Sequence, residues 1–206
     1  MIKLAIGAFA AAIAMFITGF IFFATPIGMI AYSTANETQN AAIQAALGAN
    51  LPQTGTYMVP DPSTQSGTTL YGQGPVATVH YNSKGFSLSD MSGIGYGFLQ
   101  ELLVCILLAG ALSTLDRRIP DFASRARIVV LFSIAASAMI NLGNPVWLHH
   151  DWSYWVYAFI ADAAMLIVAG LVIARWFLPV AAEMPMPSAV IQQPQEATGS
   201  GEVGTA

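Results

Sequence analysis

The chain has 206 residues and a formal net charge of −4, with 55% hydrophobic but only 9% charged residues. Soluble domains carry about 25% charged residues, so this composition excludes an ordinary soluble domain, and the scattered basic residues leave no nucleic-acid-binding patch. The single cysteine, Cys105, excludes an intramolecular disulfide and any CxxC motif for metal or redox chemistry.

Four apolar runs reach the length of about 20 residues that a membrane-spanning helix needs. They predict an all-α membrane protein, a bundle of four transmembrane helices at about 4–32, 93–115, 126–147 and 152–177. The first run exceeds the roughly 7–15 residues of a signal-peptide core, so we interpret residues 1–32 as an uncleaved anchor. Pro26 predicts a kink near the end of this helix, because proline removes a backbone donor.

Residues 33–92 form a polar extracytoplasmic insert between the first two spans. Residues 36–49 are rich in Ala and Gln, with Ile43 and Leu47 one helical turn apart, which predicts a helix. Short runs rich in Thr, Val and Tyr predict three or four strands, at 54–60, 68–72, 75–82 and 86–89. The turn residues 82–85 are expected to connect the last two as a hairpin. An α+β insert of this size is marginally stable alone, so we expect it to contact the helices or a partner.

A basic segment, residues 116–127, connects the second and third spans, and residues 144–151 form a polar loop before the fourth. Residues 178–206 are rich in Pro, Gln, Ala and Gly and are predicted to be a disordered cytoplasmic tail. Lys3 and Arg175 lie on the same side as the basic segment, which the positive-inside rule assigns to the cytoplasm. Both termini are therefore expected to be cytoplasmic, and the abundance of Ala and the preference for Arg over Lys favour a bacterial inner membrane.

Two carboxylates within the apolar spans, Glu101 and Asp162, are the first candidates for a functional site, because an ionisable residue at membrane depth is costly. Helical rise places Glu101 roughly 10 Å and Asp162 roughly 15 Å below the outer ends of their spans. No Lys or Arg lies near this depth, and burial without a cation favours a neutral carboxyl group. We therefore expect at least one of the two to be protonated at neutral pH, or to bind a cation or polar ligand.

Helical spacing indicates that both carboxylates face other helices, because small residues mark helix contacts in lipid. The small residues on the face of Glu101 are Gly93, Gly97, Cys105 and Ala109, and those on the face of Asp162 are Ala158 and Ala169. Further polar residues at this depth complete the candidate ligand or proton site: Gln100, Ser137 and Asn141. The alternative is structural, since interhelical hydrogen bonds of about 0.6 kcal/mol each would fix the helix register.

A second candidate, a metal site, comprises His149, His150 and Asp151, because imidazole and carboxylate are ordinary Zn²⁺ ligands. His80 would join it only if folding brings the insert near. Adjacent loop residues seldom reach one ion together, so a polar interfacial loop is the favoured interpretation. No motif for a catalytic serine, a nucleotide or another cofactor is present, so the cofactor stays unknown.

Three functions fit these observations. The favoured one is a non-enzymatic accessory, assembly or scaffolding subunit of a membrane complex, which contacts the lipid bilayer and a membrane-protein partner or a second copy of the chain. The first alternative is a proton-linked carrier or channel for small solutes that uses Glu101 and Asp162. The second is a membrane-embedded enzyme or metal-binding protein that acts at the outer face.

Overall fold

The structure, a computed structural model, describes residues 2–87, 89–116 and 118–179. Four helical segments in it are long and apolar enough to cross a membrane: Ile2–Phe23, Ser92–Leu115, Phe122–Leu148 and Trp152–Phe177. They confirm the four predicted apolar helices and are consistent with an integral membrane protein. The predicted disordered tail from residue 180 onward lies outside the described residues.

In the described part of the chain, the elements run in the order α1 (Ile2–Phe23), α2 (Glu37–Asn50), β1 (Gly55–Val59), α3 (Gln65–Gln73), β2 (Ala77–Tyr81), α4 (Ser92–Leu115), α5 (Phe122–Asn141), α6 (Gly143–Leu148) and α7 (Trp152–Val172). A 3₁₀ helix, Pro26–Ala31, follows α1, and a π-helical turn, Ile173–Phe177, continues α7. The insert therefore lies at one end of the long helices, the insert end, and the basic segment lies at the other end.

The first apolar run forms two helices rather than one kinked helix. α1 ends at Phe23, and Thr25 caps the separate 3₁₀ helix that begins at Pro26. The Thr25 hydroxyl oxygen accepts a hydrogen bond from the Ile27 amide at 3.3 Å. Proline lacks the amide hydrogen that a continuing helix needs but fits the first position of a new one. The predicted kink is thus a helix break.

Small residues determine how the long helices pack. α1 contacts both α4 and α7, and α5 packs against α7, whereas contacts between α4 and α5 are sparse. A Cβ atom on Gly170 of α7 would lie 2.5 Å from Val129 of α5, and one on Gly7 of α1 would lie 2.6 Å from Phe177, so both glycines permit close approach. The buried core comprises Ala8, Ala11, Ala12, Met15, Cys105, Ala109, Leu112, Val129, Met165, Ala169, Ile173 and Leu178. The packing order is α4–α1–α7–α5.

The described residues of the insert form a two-stranded sheet, not the three or four predicted strands. β1 and β2 pair antiparallel, from Gly55 opposite Tyr81 to Val59 opposite Ala77. The turn at 82–85 forms, with Asn82 Oδ1 accepting from the Lys84 amide at 3.1 Å. No strand follows it, since the described residues of 86–89, which exclude Leu88, are not extended against a partner. The predicted hairpin into 86–89 is therefore wrong.

The strand predicted at 68–72 is wrong, because these residues lie in α3. The Thr64 hydroxyl oxygen accepts from the Gly67 amide at 3.0 Å and caps the helix. The Thr68 hydroxyl donates to the carbonyls of Pro62 and Thr64, which ties the first turn to the preceding loop. These local bonds override the β-propensity of the threonines.

The helix predicted at 36–49 is confirmed as α2. Asn36 accepts from the Gln39 amide at 2.8 Å, and the Gln39 side chain accepts from the Asn36 amide at 3.0 Å, which forms a capping box. α2 nevertheless has no buried residue. Among the described residues between 33 and 91, only Gly67 is buried. The described residues of the insert thus form local hydrogen bonds but no hydrophobic core of their own.

Both predicted connections are shorter than expected. α5 begins at Phe122 because Asp121 caps it, with Asp121 Oδ1 accepting from the Ser124 amide at 2.8 Å. The later arginines of the basic segment therefore lie on a helix rather than in a loop. Most of the polar loop predicted at 144–151 is also helical, since α6 extends to Leu148. Only residues 149–151 separate α6 from α7.

Candidate functional site

A polar cluster joins α5 to α7 near the insert end. The Asn141 side-chain amide donates to Asp162 Oδ2 at 2.9 Å and to the Ser137 carbonyl at 3.1 Å. The Ser137 hydroxyl donates to the carbonyl of Phe159 at 2.7 Å. Ser137 and Asn141 are buried, and Asp162 is half-buried. The structure therefore brings together three of the five residues of the predicted site.

The bonds within this cluster account for both amide hydrogens of Asn141. Ser137 and Asn141 lie one turn apart on α5 and reach two points of α7, so the cluster fixes the register of one helix on the other. Such bonds strengthen one another in surroundings of low dielectric. The geometry fits the structural interpretation of these residues well.

Glu101 lies on the face of α4 that meets α1 and α7, as predicted. A Cβ atom on Gly19 of α1 would lie 3.5 Å from Glu101 Oε1 and 2.8 Å from Met165 Cε, which places the carboxyl group against both helices. Glu101 Oε2 is buried and has no hydrogen-bond partner among the described residues. One turn further along, Cys105 Sγ lies 3.8 Å from Met15 Sδ. A charged carboxylate is costly among such weakly polar neighbours.

Gln100 does not join this site, because its side chain is exposed on the outside of α4. Successive helical residues point about 100° apart, so Gln100 and Glu101 cannot both face the core. The helix contact predicted at Gly93 and Gly97 is also wrong within this chain, since a Cβ atom at either position would meet nothing within 4 Å. Cys105 and Ala109, further along, are buried as expected.

The insert and the start of α7 enclose a cavity of about 380 Å³, the insert cleft, and the second predicted site faces it. Its lining includes His80 from the insert together with His149, His150 and Asp151. Trp155 of α7 also lines the cleft. Folding therefore does bring His80 to the histidine loop.

The polar groups of the insert cleft make structural bonds. His150 Nε2 lies 3.2 Å from the Thr78 hydroxyl, and the His150 ring stacks on Trp155 with centroids 5.9 Å apart. Asp151 Oδ2 accepts from the Tyr154 amide at 3.1 Å and caps α7. In the described ranges, no group of three or more His, Cys, Asp or Glu side chains is arranged to hold a metal ion. The His150–Thr78 bond joins the sheet of the insert to the long helices.

Arg125 is a buried residue that sequence reasoning missed. Only 2% of its surface is exposed. Its Nε donates to the Ile119 carbonyl at 2.7 Å, and its Nη2 donates to the Asp116 carbonyl at 3.1 Å. Arg125 therefore anchors the connection between α4 and α5. The sequence feature that could have revealed this is Asp121, a residue type that often caps helices. A helix that begins after Asp121 places Arg125 one turn inside it.

No known protein family matches the chain, and no curated protein or solved structure is significantly similar to it. Among the described residues, the geometry offers a buried carboxyl oxygen without a hydrogen-bond partner, an amide–carboxyl pair between helices, and an insert in which only Gly67 is buried.

Proposed function

We propose that this chain is an integral membrane protein of four transmembrane helices that acts as a non-enzymatic accessory or scaffolding subunit. The observation that carries the proposal is the missing core of the insert, in which Gly67 is the only buried residue among those described between 33 and 91. Ordering the residues of the insert costs conformational entropy, and burial of apolar surface normally offsets this cost. On α2, Ile43 is 54% exposed. A partner protein would supply the missing burial.

The outer surface of α4 has features that favour contact with a membrane helix of the partner. Gly93, Gly97 and Gln100 lie four and three residues apart, so they share one face near the insert end. The two glycines are open and Gln100 is exposed. Small residues that permit close approach and an amide that bonds across helices are the features by which membrane helices associate. In lipid, an unpaired amide at this position would be costly.

The charge distribution supports an orientation with both termini in the cytoplasm. Lys3 at the start of α1 and Arg175 at the end of the fourth span flank the end that carries the basic segment. The positive-inside rule assigns this end to the cytoplasm, which leaves the insert outside. A bacterial inner membrane fits the abundance of Ala and the preference for Arg over Lys.

Purification of the tagged full chain in a mild detergent, followed by native mass spectrometry, tests the proposal. We expect a stoichiometric companion, either another membrane protein or a second copy. Ile43→Lys on α2 should weaken this association, whereas Gln44→Lys, at the exposed neighbouring position, should not.

A second pair of variants tests the α4 face. Gly97→Leu fills the open space next to Gln100 and should also reduce the association, whereas Gly110→Leu fills equally open space at the other end of α4 and should not. A monomer without a companion under gentle conditions would overturn the proposal. So would wild-type association of both Ile43→Lys and Gly97→Leu.

One observation favours a second function, a proton-linked carrier. Glu101 Oε2 is buried without a hydrogen-bond partner in the described part of the chain. Proton flux into proteoliposomes under a pH gradient distinguishes the two functions. In a scaffold, Glu101→Gln retains the companion and the protein shows no flux of its own. In a carrier, the wild-type protein conducts protons and Glu101→Gln abolishes the flux.

A further inference from the structure

An apolar cavity of about 470 Å³, the α4–α5 groove, lies between α4 and α5. Leu108, Leu112 and Leu115 of α4 line one side, Ile128 and Phe132 of α5 line the other, and Leu166 of α7 also contributes. The groove exists because α4 packs mainly on α1 while α5 packs on α7, so the two lining helices make only sparse contacts with each other.

The groove begins at the end of the helices that carries the basic segment. Its lining on α4 runs from Leu108 to Leu115, the last residue of that helix. On α5 it runs from Ile128 to Ala136. At 1.5 Å per residue, the groove extends about 10–12 Å along the helices, roughly a third of a hydrocarbon core that is about 30 Å thick.

Positive charge gathers at this end of the groove. Residues 116–127 contain four Arg and two Asp, which gives this segment a net charge of +2. Arg118 follows Leu115 by three residues, Arg127 directly precedes Ile128, and both side chains are exposed. Asp121 is engaged as the cap of α5.

Arg125 holds the basic segment in place next to the groove. Its two hydrogen bonds, to the carbonyls of Asp116 and Ile119, fix the backbone on both sides of Arg118. The exposed arginines are therefore presented by an anchored loop and by the first turns of α5.

We propose that the α4–α5 groove holds an acyl chain of an anionic phospholipid from the cytoplasmic leaflet, whose phosphate group lies against Arg118 and Arg127. In a bilayer an apolar groove open at the side is filled by a lipid chain, and basic residues at its cytoplasmic mouth select an anionic headgroup. The inference rests on the membrane insertion and orientation proposed above, but not on the accessory role.

Native mass spectrometry of the full chain in detergent tests the headgroup preference. The probes are phosphatidylglycerol and phosphatidylcholine with identical acyl chains, added at equal concentration. We expect preferential retention of phosphatidylglycerol. The double variant Arg118→Gln/Arg127→Gln should weaken its retention by about fivefold per arginine and leave phosphatidylcholine unchanged. Lys3→Gln, which removes a charge from the same end but from α1, is the matched control.

Filling the groove tests the acyl-chain site separately. Ala136 lines the groove and its neighbour Ala135 does not, although both are exposed on α5. Ala136→Phe should reduce retention of phosphatidylglycerol, and Ala135→Phe should leave it at the wild-type level. This pair keeps the test valid if circular dichroism shows that the double arginine variant has lost helix.

Two results would overturn the lipid site. Equal retention of both lipids by the wild-type protein would show no headgroup selection, and equal retention by Ala136→Phe and Ala135→Phe would show no acyl chain in the groove. Because these measurements use the isolated chain, failure to find a partner protein would leave their outcome unchanged.

Discussion

Asn141 connects α5 to α7 through its side-chain hydrogen bond to Asp162. We expect Asn141→Ala to lower the free energy of unfolding by about 0.6 to 1.7 kcal/mol, which are the average and the maximum for interhelical hydrogen bonds in a membrane protein. Loss of the Asn141 amide also leaves the half-buried carboxyl group of Asp162 without this hydrogen-bond donor. Unfolding by sodium dodecyl sulfate in bicelles measures the change.

Asn144→Ala is the matched control for this substitution. The Asn144 side-chain amide donates only to nearby carbonyls of its own segment, those of Ile140 at 3.1 Å and Asn141 at 3.2 Å. Among the described residues it makes no bond to α7, so we expect Asn144→Ala to lower the free energy of unfolding by less than Asn141→Ala does. Equal destabilisation by both substitutions would contradict an interhelical role for Asn141.

At the residue scale, helical spacing and depth predict part of the site. Ser137 and Asn141 are one turn apart, and their depth matches that of Asp162, so their proximity follows from the sequence. The side chain of Gln100 could not be placed by depth alone, because orientation depends on which face of α4 packs. Arg125 was missed because the third span was predicted to begin at 126, four residues later than α5 does.

Asp61 lies in the turn before α3, outside the long helices, and its carboxylate accepts a hydrogen bond from the Ser63 amide at 2.9 Å. This backbone bond, with a smaller contribution from the Ser63 side chain, lowers the pKa of Asp61 below its ordinary value. The folded pKa is therefore below the unfolded pKa of about 3.9. The bond stabilises the turn above that pH and is lost as the pH falls through the folded pKa.

The amide chemical shift of Ser63, followed by NMR during acid titration, measures this dependence. We expect a midpoint below that of a free aspartate, about 3.9. Asp61→Asn keeps an oxygen acceptor and should remove the titration. A midpoint at or above the free value would show that the bond is not formed in solution.

At the scale of elements, α2 depends on its capping box, because it buries no residue against the rest of the chain. Asn36→Ala removes the side-chain acceptor for the Gln39 amide, and such a loss costs about 1 kcal/mol of helix stability. We expect faster hydrogen exchange of the backbone amides across α2. Gln44→Ala, at an exposed position in the middle of the same helix, should leave exchange unchanged or slower.

Hydrogen exchange of the α2 amides in the complex with the partner also tests whether the proposed partner covers α2. If a partner covers α2, exchange in the complex should be slow for both Asn36→Ala and the wild-type chain. Unprotected amides in the purified complex would show that the partner binds elsewhere.

The elements of the insert show why composition predicts some local structures and not others. α2 carries its own helix signals, with a capping residue, an alanine-rich body and a proline that follows its end. α3 has the composition of a strand, but two threonine hydroxyls bond to the nearby backbone and favour a helix. Such side-chain competition with the backbone depends on details of the turn that periodicity does not reveal.

At the scale of the whole molecule, the apolar runs predict how many long helices form, but not how they pack. All four are apolar around most of their circumference, so no single stripe identifies the neighbour of each helix. The packing order depends on single glycines, such as Gly170 against Val129. The sparse contact between α4 and α5, and hence the groove, follows from that order.

The proposed orientation predicts which cysteines a membrane-impermeant maleimide reaches in intact cells. Lys84→Cys places a thiol in the exposed turn after β2, and Ser188→Cys places one in the C-terminal tail. With the insert outside and both termini in the cytoplasm, we expect Lys84→Cys to be labelled in intact cells and Ser188→Cys only after permeabilisation. The native Cys105, which is fully buried, should stay unlabelled in both states. Labelling of Ser188→Cys in intact cells would reverse the orientation, and would then place the α4–α5 groove in the outer leaflet.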